Sequence, residues 1–417
     1  MKRREFVKTL GGCAAALAVP GCARRRDTAK LSPPNIILIV TDDQRYDALG
    51  CAGNSIIHTP VMDDLAARGI RFEHAFATTP ICAASRASIF TGLYERAHGY
   101  TFTKPPLSST LMDSSYPALL RQSGYHTGFV GKFGIKVEDG VIDAMFDRFH
   151  STAYPYFKKV DGEKRHLTDI HGDLALAFLR ERPYSRPFCL SLSCWAPHAD
   201  DDSAQQYFWP NACGELYRNV VIPPPPTSDP EFFEALPDFL KNSFNRVRWF
   251  WRFDKPEKYQ AMVKGYYRMI SGIDRVIGRL REELVRQGIE QDTVIMLISD
   301  NGYFLGERGF AGKWLMHEPS IRVPLIVYDP RLPQVRAGRV ITEPALNLDL
   351  APTLLDLAGL PAPEEMQGCS FAPMMKDRNQ PSRTEIFCEH LWDLPQIPQT
   401  EGLRTGGWKY IRYLKHP

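Results

Sequence analysis

This chain of 417 residues lacks a large charge excess, any C-x-x-C pair, any internal repeat and any long apolar run beyond its N-terminus. Its 51 Lys and Arg nearly balance its 48 Asp and Glu, leaving +3. The first thirty residues hold eight bases and two acids, so the remainder carries −3. A body without positive excess has no electrostatic basis for binding nucleic acid, and no such partner is expected. The missing C-x-x-C pairs argue against a zinc ribbon. With 44% hydrophobic and 24% charged residues, the composition excludes a disordered chain, a collagen and a coiled coil.

What is present begins with an address. A basic head (Lys2, Arg3, Arg4, Lys8) precedes a short apolar stretch from Leu10 to Val19. That stretch is too short to span a bilayer and reads as an export signal covering residues 1–30. Arg3-Arg4-x-Phe6-Val7-Lys8 resembles a twin-arginine signal. Val19-Pro20-Gly21-Cys22 resembles an imperfect lipobox, with Cys22 as the lipidated residue. The alternative is a plain cleaved signal with a spare cysteine. The expected partners are therefore export machinery and, through a lipid anchor at most, a membrane; the expected location is the periplasm or cell surface. Of nine cysteines, two fall in the address and seven remain, so at least one thiol is left over from any pairing.

From residue 35 the pattern alternates strand and helix. Strands are expected at Asn35–Val40, Thr127–Val130, Phe188–Ser193, Thr293–Ile298 and Leu325–Tyr328. Helices are expected at Pro60–Gly69, Tyr116–Ser123, Asp173–Arg182, Tyr259–Gln287 and Asn347–Leu357. The long helix has a stripe of Met262, Tyr266, Met269, Ile273, Ile277, Leu280 and Leu284 at spacings of three and four. Uninterrupted apolar strands between helices predict an α/β fold, a large mainly parallel sheet sandwiched by helices. Ligands of such sheets bind beyond the carboxyl ends of the strands. The proline run Ile222–Pro230 reads as a stiff surface connection. Residues 195–256 are aromatic-rich without clear periodicity and read as an insertion over the sheet. The domain reading is a catalytic domain at 33–375 and a small antiparallel α+β subdomain at 376–417. Gly402–Tyr413 resembles an edge strand or hairpin, and the halt at Pro417 without a closing element leaves room for an incomplete subdomain.

Two acidic clusters follow predicted strands, Asp42-Asp43 and Asp300-Asn301. Gathered at one sheet edge, three carboxylates and an amide need a counter-charge, and oxygen ligands suit calcium or magnesium. The competing reading is two separate helix N-caps. Cys82-Ala83-Ala84-Ser85-Arg86, followed by Thr91-Gly92, could by itself be a buried structural thiol.

Taken together, DDQ, CAASR and SDNG resemble the formylglycine-dependent sulfatase family, of the alkaline-phosphatase superfamily. Its signature reads C-x-P-S-R-x-x-x-(L/I)-T-G, and this chain has C-A-A-S-R-A-S-I-F-T-G. The resemblance runs from about Asn35 to Tyr413. It implies an alkaline-phosphatase-like fold and a Cys82 oxidised by a maturation enzyme to formylglycine, whose hydrate is the nucleophile. It implies a metal held by Asp42, Asp43, Asp300, Asn301 and the Cys82 derivative, with Arg86 steadying that derivative. Gly131-Lys132-Phe133-Gly134 matches the family's G-K-W-H, so Lys132 carries over as a sulfate ligand while Gly134 stands where the histidine would be. Ala84 replaces a frequent proline. Ala196-Pro197-His198 matches A-P-H and makes His198 the expected general acid. Gly312-Lys313 through Arg322-Val323-Pro324 matches G-K-x-x-x-x-E-x-x-x-R-V-P, making Lys313 a second sulfate ligand. Glu318 and Arg322 are expected to brace this loop as an ion pair.

Expected sugar contacts are Trp195, His317, His390, Trp392, Glu401 and Arg404, since aromatic faces stack on sugars and charged groups read hydroxyls. The leading function is an exported sulfatase acting on sulfated carbohydrates such as glycosaminoglycan-like glycans. The alternatives are a phosphonate or phosphate ester hydrolase of the same superfamily, and a lipoprotein that binds sulfated glycans without turnover.

Overall fold

Alternate residues of the first strand enter different cores. Ile37 and Ile39 pack on one side of the sheet, and Ile36, Leu38 and Val40 on the other. A strand that is apolar throughout is thus buried on both faces, as its composition requires. The structure is a computed structural model that describes residues 33–376 and 383–416. The export-signal and lipobox readings of residues 1–30 lie outside the described residues.

The central sheet has eight strands: β1 (Asn35–Thr41), β2 (Ile70–Phe72), β3 (His126–Gly131), β4 (Arg148–Ser151), β5 (Phe188–Ser193), β6 (Thr293–Ser299), β7 (Leu325–Tyr328) and β8 (Arg339–Ile341). Their spatial order is β8-β2-β7-β6-β1-β5-β3-β4. Only β7 runs against the rest. The expected mainly parallel sheet covered on both faces is what the chain forms.

One face is covered by helices α1 (Pro60–Arg68), α4 (Leu167–Glu181) and α6 (Pro256–Arg286). The other is covered by α2 (Cys82–Thr91), α3 (Tyr116–Gln122) and α7 (Leu350–Leu357). Every member of the predicted α6 stripe is buried. Helix α4 begins six residues before the expected Asp173 because the His166 side chain caps it, accepting from the Thr168 N–H at 3.1 Å. The insertion over 195–256 contains α5 (Phe244–Arg252) and two shorter helices, Pro230–Glu234 and Asp238–Lys241. None was expected, since aromatic residues around most of α5 hide its period. No helix among the described residues is long and apolar enough to cross a membrane.

The last three strands, β9 (Glu385–His390), β10 (Thr400–Thr405) and β11 (Lys409–Tyr413), form an antiparallel sheet. Ile386 and Cys388 of β9 pack on Phe76, Met316, Ile321, Leu346 and Leu348. Cys51, Cys82, Cys189, Cys194, Cys213, Cys369 and Cys388 all carry free thiols.

Candidate active site

Parallel pairing fixes where the chemistry gathers. Thr41 of β1 pairs with Ser299 of β6, Val40 with Ser193 of β5, and Ser193 with Gly131 of β3. Four strands therefore end level, and the next residues out are Asp42-Asp43, Asp300-Asn301, Cys194-Trp195 and Lys132. Helix α2 starts at the same edge with Cys82 in its first turn. Free backbone N–H groups and the helix dipole favour negative charge there.

The carboxylates are wholly buried, and the cations beside them nearly so. Lys132 pairs with Asp42, and Lys313 Nζ lies 2.5 Å from Asp43 Oδ1. Arg86 donates from Nε to Asp300 Oδ2 at 2.9 Å, and from Nη1 to the Lys132 carbonyl at 2.7 Å and to Ser193. Ser85 donates to the Asp300 carbonyl and accepts from Asn347 Nδ2 at 2.9 Å, which ties α2 to the end of β6. Burial alone would raise the Asp42 carboxyl, but Lys132, His198, Lys313 and Arg86 hold it well below the usual range. Burial and the neighbouring Asp42 push Asp300 up despite Arg86. Burial disfavours the Lys313 ammonium, yet the carboxylates of Asp43, Asp42 and Asp300 keep it charged.

Three buried oxygens at this edge have no hydrogen-bond partner: Asp42 Oδ1, Asp43 Oδ2 and Asn301 Oδ1. Buried acceptors without donors are costly, and an oxygen-only set of this kind fits a hard divalent cation. Asp300 differs from the other three. Its Oδ2 is taken by Arg86, and its Oδ1 accepts from the Asp43 N–H at 3.2 Å. The convergent His, Cys, Asp or Glu set among the described residues is Asp42, Asp43 and His198, without Cys82.

His198 Nε2 is 3.7 Å from Asp43 Oδ2. Its Nδ1 lies 2.6 Å from the Ala199 carbonyl and 2.7 Å from the Tyr154 hydroxyl. A carbonyl only accepts, so in the neutral ring Nδ1 carries the hydrogen and Nε2 faces the acids bare. Burial pushes this imidazole down to about 4, against the pull of Asp43 and Asp42. Tyr154 escaped sequence reasoning, for it belongs to no motif and meets His198 only through the fold.

Gly134 explains the departure from the family pattern. It has φ +75, and a Cβ built there would stand 2.6 Å from Arg86 Cδ. The space under a histidine at this position is filled by the arginine itself.

The six expected sugar contacts separate into groups. Trp195 joins the site: the Lys132 ammonium lies 4.6 Å above its ring, and Tyr154 packs against it at 4.4 Å. Trp392 packs edge-on to Phe102 at 5.3 Å and borders a cluster of Ile81, Ala84 and Trp314, beside Cys82 and Lys313. His390 is wholly buried, and neither ring nitrogen has a partner. His317 packs edge-on to Phe304 at 5.9 Å. Glu401 pairs with Arg96 at 2.7 Å and Arg404 with Glu318 at 2.9 Å, so both are engaged in ion pairs. The expected Glu318–Arg322 ion pair does not form. Glu318 is taken by Arg404 and Lys409 of the small sheet, while Arg322 donates to the Glu73 carbonyl at 2.6 and 2.9 Å and lies 4.0 Å over the Tyr46 ring. β11 supplies a cation that local spacing could not foresee.

The sulfatase family model matches residues 34–360, more than half of the chain. The chain belongs to the sulfatase family. It is a sulfuric ester hydrolase with an alkaline-phosphatase-like fold. A second model, the N-sulphoglucosamine sulphohydrolase C-terminal region, matches residues 306–417. The N-acetylglucosamine-6-O-sulfatase of Bacteroides thetaiotaomicron is 28% identical over 96% of this chain and 82% of its own length. The arylsulfatase of Clostridium perfringens is 28% identical over 86% of this chain and 81% of its own. A structure solved in complex with its substrate D-glucosamine-2-N,6-O-disulfate is 27% identical, covers 93% of this chain and 90% of that one, and has a TM-score of 0.78. A phosphonate monoester hydrolase of Agrobacterium radiobacter, 20% identical with a TM-score of 0.73 over 91% of this chain and 87% of its own, shares the fold.

Proposed function

We propose that this sulfatase hydrolyses sulfate esters of carbohydrates, with Cys82 matured to formylglycine and a divalent cation at Asp42, Asp43, Asp300 and Asn301. One observation carries the reading: at the edge where Lys132 pairs with Asp42 and Lys313 with Asp43, the oxygens Asp42 Oδ1, Asp43 Oδ2 and Asn301 Oδ1 are buried without a hydrogen-bond donor. The carbohydrate class rests on likeness to the N-acetylglucosamine-6-O-sulfatase and to the glucosamine disulfate complex.

A hydrated formylglycine at position 82 would supply the nucleophilic hydroxyl, and a divalent cation held by Asp42, Asp43, Asp300 and Asn301 would supply positive charge for a sulfate oxygen. This chain's residues do the rest. Lys132 and Lys313 approach the site from different loops and bind the sulfate oxygens. The α2 N-terminus faces the same charge. Arg86 fixes Asp300 and the Lys132 backbone, so both hold position as charge shifts. His198 Nε2 handles the leaving alcohol's proton, and the bound sulfate's negative charge draws a proton onto that nitrogen. The sequence features of residues 1–30 support export and lipid anchoring as part of this proposal.

The test is sulfate release from N-acetylglucosamine 6-sulfate by protein made in cells that carry a maturation enzyme, with mass spectrometry of the tryptic peptide spanning 72–86. Formylglycine at position 82 and turnover abolished by chelation are expected. Asp300→Ala is expected to lower kcat/KM at least ~100-fold, since it removes a ligand and leaves Arg86 buried without its partner. An unmodified Cys82 in active protein, or activity indifferent to both chelation and Asp300→Ala, overturns the assignment.

A further inference from the structure

Three residues past His198, a carboxylate is clamped by two arginines that the reaction does not use. Arg248 and Arg252 lie one turn apart on α5 and are buried to 2% and 0% exposure. Both reach Asp201: Arg248 Nη2 lies 2.8 Å from Oδ1 and 2.7 Å from Oδ2, and Arg252 Nη2 pairs with Oδ1. Burial would raise the Asp201 carboxyl, but Arg248 and Arg252 hold it down at about 2. While its partners are buried, the Asp201 side chain remains one-third exposed.

The cluster is built into the wall of the catalytic site. Asn245, also on α5, donates to the carbonyls of Ala311 at 3.1 Å and Lys313 at 2.9 Å. The Arg248 guanidinium lies 5.1 Å from the Trp314 ring, next to Lys313. It fills the place of a side chain at Gly312, where φ is +100 and a built Cβ would meet Arg248 Nη1 at 3.1 Å. The charges of His198 and Asp43 are felt at Asp201 and Arg248 respectively. The exposed carboxylate thus lies three residues along the chain from the expected proton donor and is held, through Arg248, against the loop that carries Lys313.

We propose that Asp201 is a specificity residue that accepts a hydrogen bond from a hydroxyl of the substrate sugar, with Arg248 and Arg252 as its positioning residues. The donor inventory sets the ligand chemistry. An ionised carboxylate only accepts, and the arginines occupy Oδ1 twice and Oδ2 once. Oδ2 keeps a free acceptor direction, and the side chain that carries it is one-third exposed. A hydroxyl satisfies it, whereas a second sulfate or a carboxylate offers only acceptors. Two arginines stop the carboxylate from rotating, so the position of the hydroxyl relative to the scissile sulfate is read as well.

This inference rests on the carbohydrate reading above, and its test separates the two. The ratio of kcat/KM on N-acetylglucosamine 6-sulfate to kcat/KM on 4-nitrophenyl sulfate is measured for the wild type and for Asp201→Asn. The aryl ester has no sugar hydroxyl and reports the reacting centre alone. Asp201→Asn is expected to lower the ratio at least ~10-fold, whatever the change in aryl sulfate turnover itself. Asp201→Glu keeps the charge and the arginine pairing but moves the oxygens. It is expected to lower the ratio in the same direction, and it stands as the test should the Asn protein fail to fold. An unchanged ratio in the folded variants, whether both rates fall or neither does, overturns the proposal and leaves the carbohydrate reading standing. Wild-type enzyme that cleaves the aryl sulfate but no sulfated sugar overturns the carbohydrate reading and this assignment with it.

Discussion

At the residue scale the unusual position is Gly134. Family resemblance places a histidine there, and the chain has instead glycine, which adopts φ +75 without strain and has no Cβ to meet Arg86 Cδ, only 2.6 Å from where one would stand. Restoring the family residue should therefore harm this protein. Gly134→His is expected to cost about 1–3 kcal/mol through left-handed backbone strain and a displaced arginine. Its activity should fall at least ~10-fold, because Arg86 also holds Asp300 and the Lys132 backbone. Urea titration together with kcat/KM on an aryl sulfate checks this; a variant as stable and active as wild type would show that the arginine has room to move. The presence of Arg86, Lys132 and Gly134 was legible in the sequence. That one fills the space of another was not, because a missing side chain leaves no pattern.

At the element scale, α5 is the piece that sequence reading missed and the site depends on. It joins the Lys313 loop through one buried amide, Asn245, which satisfies two carbonyls. Asn245→Ala leaves both acceptors buried and unpaired. The expected loss is roughly 1–3 kcal/mol in stability, with kcat reduced about tenfold as Lys313 loses its anchor. Asn245→Asp, of similar size but unable to donate, should behave like the alanine variant. Either variant with wild-type kcat would mean that Lys313 is placed by its ion pair with Asp43 alone. By contrast, β1, β5, β6 and α6 were readable because apolar residues repeat at short range. The sequence of α5, FNRVRWFWR, mixes large aromatics with arginines, and Asn245, Arg248 and Arg252 are the residues that turn inward, so its buried face does not look buried.

At the scale of the whole molecule, the C-terminal sheet is fastened to the segment that leads into Cys82. The Glu389 N–H donates to the Thr78 carbonyl at 2.8 Å, and Glu95 accepts from the Leu391 N–H at 3.1 Å. Burial pushes Glu95 from its ordinary 4.5 up to about 8, with Glu389 adding to the rise and the Leu391 bond opposing it. The folded protein thus keeps this proton between 4.5 and about 8, where the unfolded chain has lost it. Stability falls as pH rises through that window, because the unfolded state binds fewer protons. Glu95→Gln removes the titration. Its unfolding free energy relative to wild type, from urea titrations, is expected to climb between about pH 5 and about pH 8, by an amount on the order of a few kcal/mol. A difference that stays flat with pH would show that Glu95 is already ionised when folded.

The sequence alone determined the layered α/β architecture and the chemistry at the sheet edge. Both follow from neighbours in the chain: apolar runs that must be buried on two faces, and acids or bases placed one residue past them. Only the tertiary structure decided which charges meet. Arg248 and Arg252 find Asp201 across 47 and 51 residues, and Arg404 reaches Glu318 across 86. Such pairs are chosen by which surfaces the packed helices and strands bring face to face. Their partners carry no periodicity or spacing that would announce them beforehand.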